Sequence, residues 1–204
     1  MGGGRTGQAR RVSARRARYF GGVDELRTER VLLRRWRAED EREMARINRE
    51  PEVARYLNRP VDEGAIAGFY AVICAHWEQH GFGPWALESL EPERSGAFLG
   101  FAGLAFVPSF LSAAGSAPEV GWRLDPAVWG RGLATEASIA ARDDALGRLE
   151  QPELISVIHP QNERSQRVAI KLRMRRERQI ENPALGIPVD VWHLRADQAA
   201  AGSR

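Results

Sequence analysis

Trp129-Gly-Arg-Gly-Leu-Ala-Thr-Glu-Ala137 decides how this chain is read. Upstream, Glu119-Val-Gly-Trp-Arg-Leu124 reads as a short apolar strand, and a run with helical spacing and few breakers begins inside the quoted stretch. The order is strand, glycine-rich turn, helix. Such a turn aims several backbone N–H groups at one spot, in front of a helix N-terminus that carries partial positive charge, and this suits a phosphate or diphosphate. Gly130 and Gly132 can take positive φ and let a ligand approach the main chain closely. The same turn also serves as a plain strand-to-helix connection. It is no P-loop, for no Gly-Lys-Ser/Thr follows, and it lacks the third glycine of Gly-x-Gly-x-x-Gly.

The flanking sequence supplies the other elements. Leu154-Ile-Ser-Val-Ile158 reads as a buried strand, His159-Pro-Gln-Asn162 as a turn, and Glu163 through Met174 as a helix. Val31 to Trp36 reads as the first strand. Ala38-Glu-Asp40 offers cap chemistry for a helix through Asn48, with Met44 and Ile47 on one face and Pro51 as its stop. Asp62 to His80 is predicted helical, with Phe69, Ile73 and Trp77 on one stripe. Trp85 to Leu90 and Ala97 to Phe106 read as a hairpin around Glu91–Gly96. Pro108 to Pro118 and Gln179 to Pro188 read as loops, the first of them flexible and near the active site, and Val189 to Arg195 as a last strand. The pattern is mixed α/β without an internal repeat.

Taken in order, Glu119 to Leu124, Trp129 to Ala137, then Asn162-Glu-Arg-Ser165 with Lys171-Leu172 resemble the GNAT superfamily of N-acetyltransferases, in its RimJ/RimL-like branch. Thr28-Glu-Arg-Val-Leu-Leu-Arg34 is similar to that branch's opening Thr-Glu-Arg-Leu-x-Leu-Arg. Gly81 to Glu88 and Leu99 to Leu104 sit where its second and third strands lie. The resemblance spans roughly residues 26 to 195. It implies the GNAT fold: a mixed, mostly antiparallel central sheet of six to seven strands, splayed between strands 4 and 5 and flanked by about four helices.

It also implies acetyl-CoA as co-substrate, with no metal. The diphosphate would meet the main chain of Trp129, Gly130, Arg131, Gly132, Leu133, Ala134 and Thr135, and the pantetheine arm would pair with the fourth strand around Trp122, Arg123 and Leu124. Asn162 would bond the arm, and Ser165 would sit near the thioester sulfur and help protonate the leaving thiolate. Both residues also favour helix starts, and simple capping is the alternative reading. No tyrosine, the usual donor in the superfamily, lies in this segment. Glu119, which opens the fourth strand, is the candidate base for the attacking amine, against a plain strand-end carboxylate. Three departures from the pattern stand out. Asp144 falls where large apolar residues are usual and needs a partner such as Arg142 or Arg148. Arg173 takes the place of a capping glycine, and Gln151-Pro152 replaces Gly-Leu.

Charge and cysteine bound the rest. The net charge is +3, yet residues 1–22 hold six arginines and no acid, which leaves 24 basic against 27 acidic residues elsewhere. Residues 1–22 are expected to be a disordered Arg-rich tail, residues 23–198 the acetyltransferase domain, and residues 199–204 a disordered C-terminus. The tail lacks the apolar run of a secretory signal; it reads as an incidental extension, a transit peptide or a weak nucleic-acid tether. The single cysteine, Cys74, is expected on an apolar helix face as an inert buried thiol, which fits a cytoplasmic setting. His76 and His80 are four apart without an evident third ligand, His159 reads as structural, and Trp77, Phe82 and Trp85 read as core or pocket wall. The expected partner is an amine acceptor, a protein N-terminus or a small molecule, and not a membrane; nucleic acid enters only through the tail. The protein is expected as a monomer or homodimer. The alternative function is a non-catalytic acyl-CoA-binding module.

Overall fold

The computed structural model describes residues 24–57, 63–107, 109–183 and 186–200. Residues 1–22, and 201–204 of the C-terminal stretch, lie outside them. Eight strands, β1 (Glu25–Arg27), β2 (Val31–Arg34), β3 (Pro84–Ser89), β4 (Phe98–Phe106), β5 (Pro118–Leu124), β6 (Glu153–Ile158), β7 (Arg175–Asn182) and β8 (Ile187–Arg195), form one sheet. Their order is β1-β2-β3-β4-β5-β6-β8-β7. Every neighbouring pair is antiparallel except β5 with β6. The helices are α1 (Asp40–Arg49), α2 (Pro51–Ala54), α3 (Glu63–His80), α4 (Leu133–Gly147), α5 (Glu163–Lys171) and α6 (Ala196–Ala200).

The β5–β6 junction positions the site. β5 pairs with β4 along its whole length, from Pro118 opposite Phe106 to Leu124 opposite Gly100. It meets β6 at one register pair, Glu119 opposite Ile155. Beyond that pair the two strands diverge, as the splayed sheet requires. Strand alternation places neighbouring residues on opposite faces. Ala102 and Leu104 of β4, with Val120 and Leu124 of β5, share a core with Ala137, Ala141 and Ala145 of α4. Those alanines are four apart and fully buried, so α4 can lie close on the sheet. Phe101 belongs instead to a second cluster, with Met44 and Ile47 of α1 and Val53 of α2. Trp77, Phe82 and Trp85 are core residues.

Several expectations are corrected. Asp40 does not cap α1; its carboxylate is buried against the Arg34 guanidinium, at 2.7 and 2.9 Å, and accepts the Arg37 N–H. Glu88 takes the Arg34 Nε at 2.6 Å, so the two acids share one buried cation and tie β2, α1 and β3 together. Pro51 starts α2 rather than only stopping α1, its missing N–H costing nothing at a first helical position. Among the described residues the sheet has eight strands rather than six or seven. β1 is three residues long, and β7 reads Arg-Arg-Glu-Arg-Gln-Ile-Glu-Asn, so neither carries an apolar alternation. β7 lies at the sheet edge, where only pairing with β8 defines it, and it takes in residues 179–182 of the expected loop. Residues 109–114 of the expected loop form 3₁₀ turns, and Ala114 and Ala117 pack on Ile155 and Val191. Cys74 is half-buried rather than buried, and Ala199 and Ala200 close α6.

The departures in the core helices are accommodated. Arg148 grips Asp144 with two 2.7 Å bonds, one turn along α4. Arg173 adopts φ 65°, the left-handed conformation a glycine would supply, and its N–H bonds the Ile170 carbonyl. α5 therefore ends as a glycine-capped helix would, at the cost of strain in a non-glycine residue.

Candidate active site

The turn between β5 and α4 is built to leave its donors free. Gly130 and Gly132 have φ 77° and 81°, and Gly132 sits at the helix N-cap with no side chain to cap it. The first-turn N–H groups of α4, at Leu133, Ala134 and Thr135, therefore have no intrahelical acceptor. A Cβ at Gly130 would meet nothing within 4 Å, so the space beside the main chain is open. The other groups of the turn are tied back. Trp129 Nε1 donates to the Leu124 carbonyl at 2.8 Å, and Arg131 pairs with Glu91 at 2.8 Å. The Arg131 carbonyl accepts Arg30 Nη1 at 2.9 Å.

The gap between β5 and β6 opens into a cleft of about 940 Å³ that continues to this turn. In a strand, the N–H and C=O of alternate residues point to the same side. Val120, Trp122 and Leu124 thus direct theirs toward β6. The Val120 carbonyl is taken by the Ser156 hydroxyl and the Leu124 carbonyl by Trp129. Trp122 is left with its main-chain groups on the open edge, past the last β5–β6 pair.

Glu119 lies where the strands part. Its Oε1 accepts the Val157 N–H at 3.1 Å across the junction. The residue is half-buried, with its carboxyl in the cleft wall. Desolvation drives its pKa up; the Val157 N–H and the Arg123 charge pull part of that back, and the balance stands at about 7. A carboxylate poised there exchanges a proton near neutral pH. Glu119, Gly121 and Arg123 share one face of β5, opposite Val120 and Leu124. On it, Arg123 bonds Asn48 of α1 at 2.8 Å and stands over Phe69 and Phe101 at 5.5 and 5.4 Å.

Asn162 and Ser165 line the same cleft. Asn162 is a true N-cap: its Oδ1 accepts the Ser165 N–H at 3.1 Å. The cap uses the oxygen and not the amide NH₂, so capping and donation to a ligand are compatible. The cleft thus gathers Glu119, Trp122, Arg123, Leu124, Trp129, Gly130, Gly132, Leu133, Ala134, Thr135, Asn162 and Ser165. The Arg131 side chain points to Glu91 instead.

Sequence reasoning missed the bridge across the cleft mouth. Tyr56, which follows α2, donates to the Gln161 carbonyl at 3.2 Å and packs on His159. Arg164 of α5 pairs with Glu52 at 3.1 Å and stacks over Trp129 at 4.6 Å. No pattern flags these residues, because the pairs are about 105 to 112 positions apart. Among the described residues no group of three or more His, Cys, Asp or Glu is placed to hold a metal ion. No helix among them is long and apolar enough to cross a membrane.

The family model "Acetyltransferase (GNAT) domain" matches residues 30–175. Among solved structures, an acetyltransferase from Agrobacterium tumefaciens is 27% identical, with a TM-score of 0.73 over 88% of this chain and 99% of its own. A ribosomal-protein-S5-alanine acetyltransferase from Vibrio fischeri shares the fold at 17% identity, with a TM-score of 0.65 over 85% of this chain and 97% of its own. So does a spermidine N-acetyltransferase chimera from Vibrio cholerae, at 12% identity and a TM-score of 0.63 over 85% and 99%.

Proposed function

This chain belongs to the GNAT acetyltransferase family, and we propose that it moves an acetyl group from acetyl-CoA to a primary amine, a protein N-terminus or a small amine, by direct attack. One observation carries the reading. A cleft runs from an uncapped helix N-terminus behind two left-handed glycines, along an open strand edge, to a carboxyl with a pKa of about 7. Diphosphate, amide-bearing arm and reacting thioester occur in that order along acetyl-CoA, which supplies an activated acetyl group.

In this reading the N–H groups of Gly130 to Thr135 hold the diphosphate, and Trp122 pairs with the arm. Asn162 donates its amide to the arm. Glu119 takes the ammonium proton, so that the neutral amine can attack. An α-amine has a pKa of about 7.7–8 and a lysine side chain about 10.4, so a base near 7 matches the first far better. Ser165 stands as proton donor to the thiolate. The RimJ/RimL-like branch is supported by the Thr28-to-Arg34 opening. A cytoplasmic setting belongs to the same reading.

Thiol release from acetyl-CoA with a panel of peptide N-termini and small amines tests it. Turnover with at least one amine, rising with pH through about 7, is expected. Coenzyme binding with no turnover on any amine would make the protein an acyl-CoA-binding module instead.

A further inference from the structure

The Thr28-Glu-Arg opening does more than start a strand. Glu136 lies in the first turn of α4, and four donors converge on its carboxylate. Thr28 Oγ1 approaches Oε1 at 2.6 Å, and the Arg30 N–H reaches the same oxygen at 2.8 Å. Arg30 Nε and Nη2 close on Oε2 at 2.8 and 2.6 Å. Burial pushes the Glu136 carboxyl up, but these bonds outweigh it and hold its pKa below the usual carboxylate range. Residues more than a hundred positions away in sequence thus lock the mouth of the helix.

The same guanidinium holds the turn itself. Arg30 Nη1 takes the Arg131 carbonyl. In a planar trans peptide the C=O and the next N–H point in opposite directions. Fixing the Arg131 carbonyl toward Arg30 therefore turns the Gly132 N–H the other way, out of the Arg30 side of the turn. Arg30 Nη2 lies 3.6 Å from where a Gly132 Cβ would stand, so its charge borders the turn. An acid at Glu136 alone would repel an anion bound at this helix terminus, and Arg30 cancels that charge.

We propose that Arg30 and Thr28 are positioning residues for the coenzyme's diphosphate: Arg30 neutralises Glu136 and sets the peptide plane ahead of Gly132, and Thr28 holds the Glu136 carboxylate in place. This rests on the reading that the diphosphate binds at the N-terminus of α4. Neither residue touches the reacting atoms, and their effect is confined to the diphosphate end of the coenzyme.

The test compares acetyl-CoA with S-acetyl-pantetheine, which lacks the diphosphate, on purified full-length wild type, Arg30→Met, Glu136→Gln and the double variant. Arg30→Met is expected to raise KM for acetyl-CoA roughly tenfold or more, by leaving an unpaired carboxylate beside a bound anion. Its kcat at saturation should fall much less, and its KM for S-acetyl-pantetheine should stay within about twofold of wild type. Adding Glu136→Gln should recover part of the acetyl-CoA KM, because it removes the repelling charge; the unchanged KM for S-acetyl-pantetheine is what separates this from a general loss of stability. Thr28→Val removes one of the four donors, should show the same signature at smaller size, and serves if Arg30→Met does not fold. Wild type that prefers acetyl-CoA, combined with an Arg30→Met variant that keeps the same preference, overturns the role of Arg30 alone. Wild type that uses both thioesters equally overturns the diphosphate site, and this inference with it.

Discussion

Replacing Glu119 with glutamine should make the protein slower and more stable at once. The glutamine oxygen can still accept the Val157 N–H that holds the native side chain at 3.1 Å, so geometry is kept and only the ionisable group is lost. Desolvation raises the native carboxyl from 4.5 to about 7. Between those values the folded state holds a proton that the unfolded state has released. Stability contributed by the protonated form is thus present below pH 4.5, declines as pH rises, and is gone above about 7. A shift of that size corresponds to about 3 kcal/mol. The carboxyl faces an open cleft, so about 1–2 kcal/mol is the more realistic cost. Glu119→Gln should therefore match wild type in acid and exceed it above pH 7, with Tm higher by about 2–4 °C for each kcal/mol. If Glu119 is the base, turnover should drop roughly 10²–10⁴-fold, and the acid limb of kcat/KM near pH 7 should vanish. Calorimetric melts at pH 5 and 8, with the pH–rate profile, read both effects. A variant that keeps the wild-type acid limb would remove Glu119 from proton transfer, and one with no gain in Tm at pH 8 would refute the desolvation argument.

Other perturbations probe separate parts. Gly132→Asp forces a side chain onto φ 81° and sets a carboxylate beside Arg30 at the turn; Kd for coenzyme A by titration calorimetry should rise at least about tenfold, and Gly132→Ala should show only the smaller cost of strain. Asp40→Ala leaves the buried Arg34 with half its counter-charge, so urea unfolding should show a loss of about 3–5 kcal/mol with coenzyme affinity unchanged. His76 is desolvated and held neutral, with Nδ1 on the Phe82 carbonyl at 2.8 Å and Nε2 accepting the Phe106 N–H at 3.1 Å. Its folded pKa lies below 6.5, so stability should fall as pH drops below that value, and His76→Gln should flatten this part of a stability–pH curve.

What could be read in advance followed local rules. The glycine turn, the helix behind it and the Asn162 cap are set by residues adjacent in sequence, and each was legible. The splay between β5 and β6 comes through the resemblance and not through hydropathy, since the side-chain pattern of a strand does not say how far it stays paired with its neighbour. β7 was illegible because an edge strand needs no apolar face, and Arg175 to Arg178 gives none. Asp40 looked like a cap because acids favour helix starts, but a buried arginine six residues upstream claimed it. The perturbed Glu119 carboxyl could not be inferred from its neighbours in the chain, because its burial at the junction with β6 creates it. The Arg30–Glu136 lock was hidden for the same reason. The motif that opens the domain is plain in the sequence, but nothing in it reveals that it reaches the helix at the other end of the cleft.

A crystal structure of the protein grown with coenzyme A tests the central claim most directly. The diphosphate oxygens should lie within hydrogen-bonding distance of main-chain N–H groups between Gly130 and Thr135, and the pantetheine arm should run between β5 and β6 beside Trp122. A coenzyme bound with its diphosphate elsewhere, or with its arm outside that gap, would contradict the account.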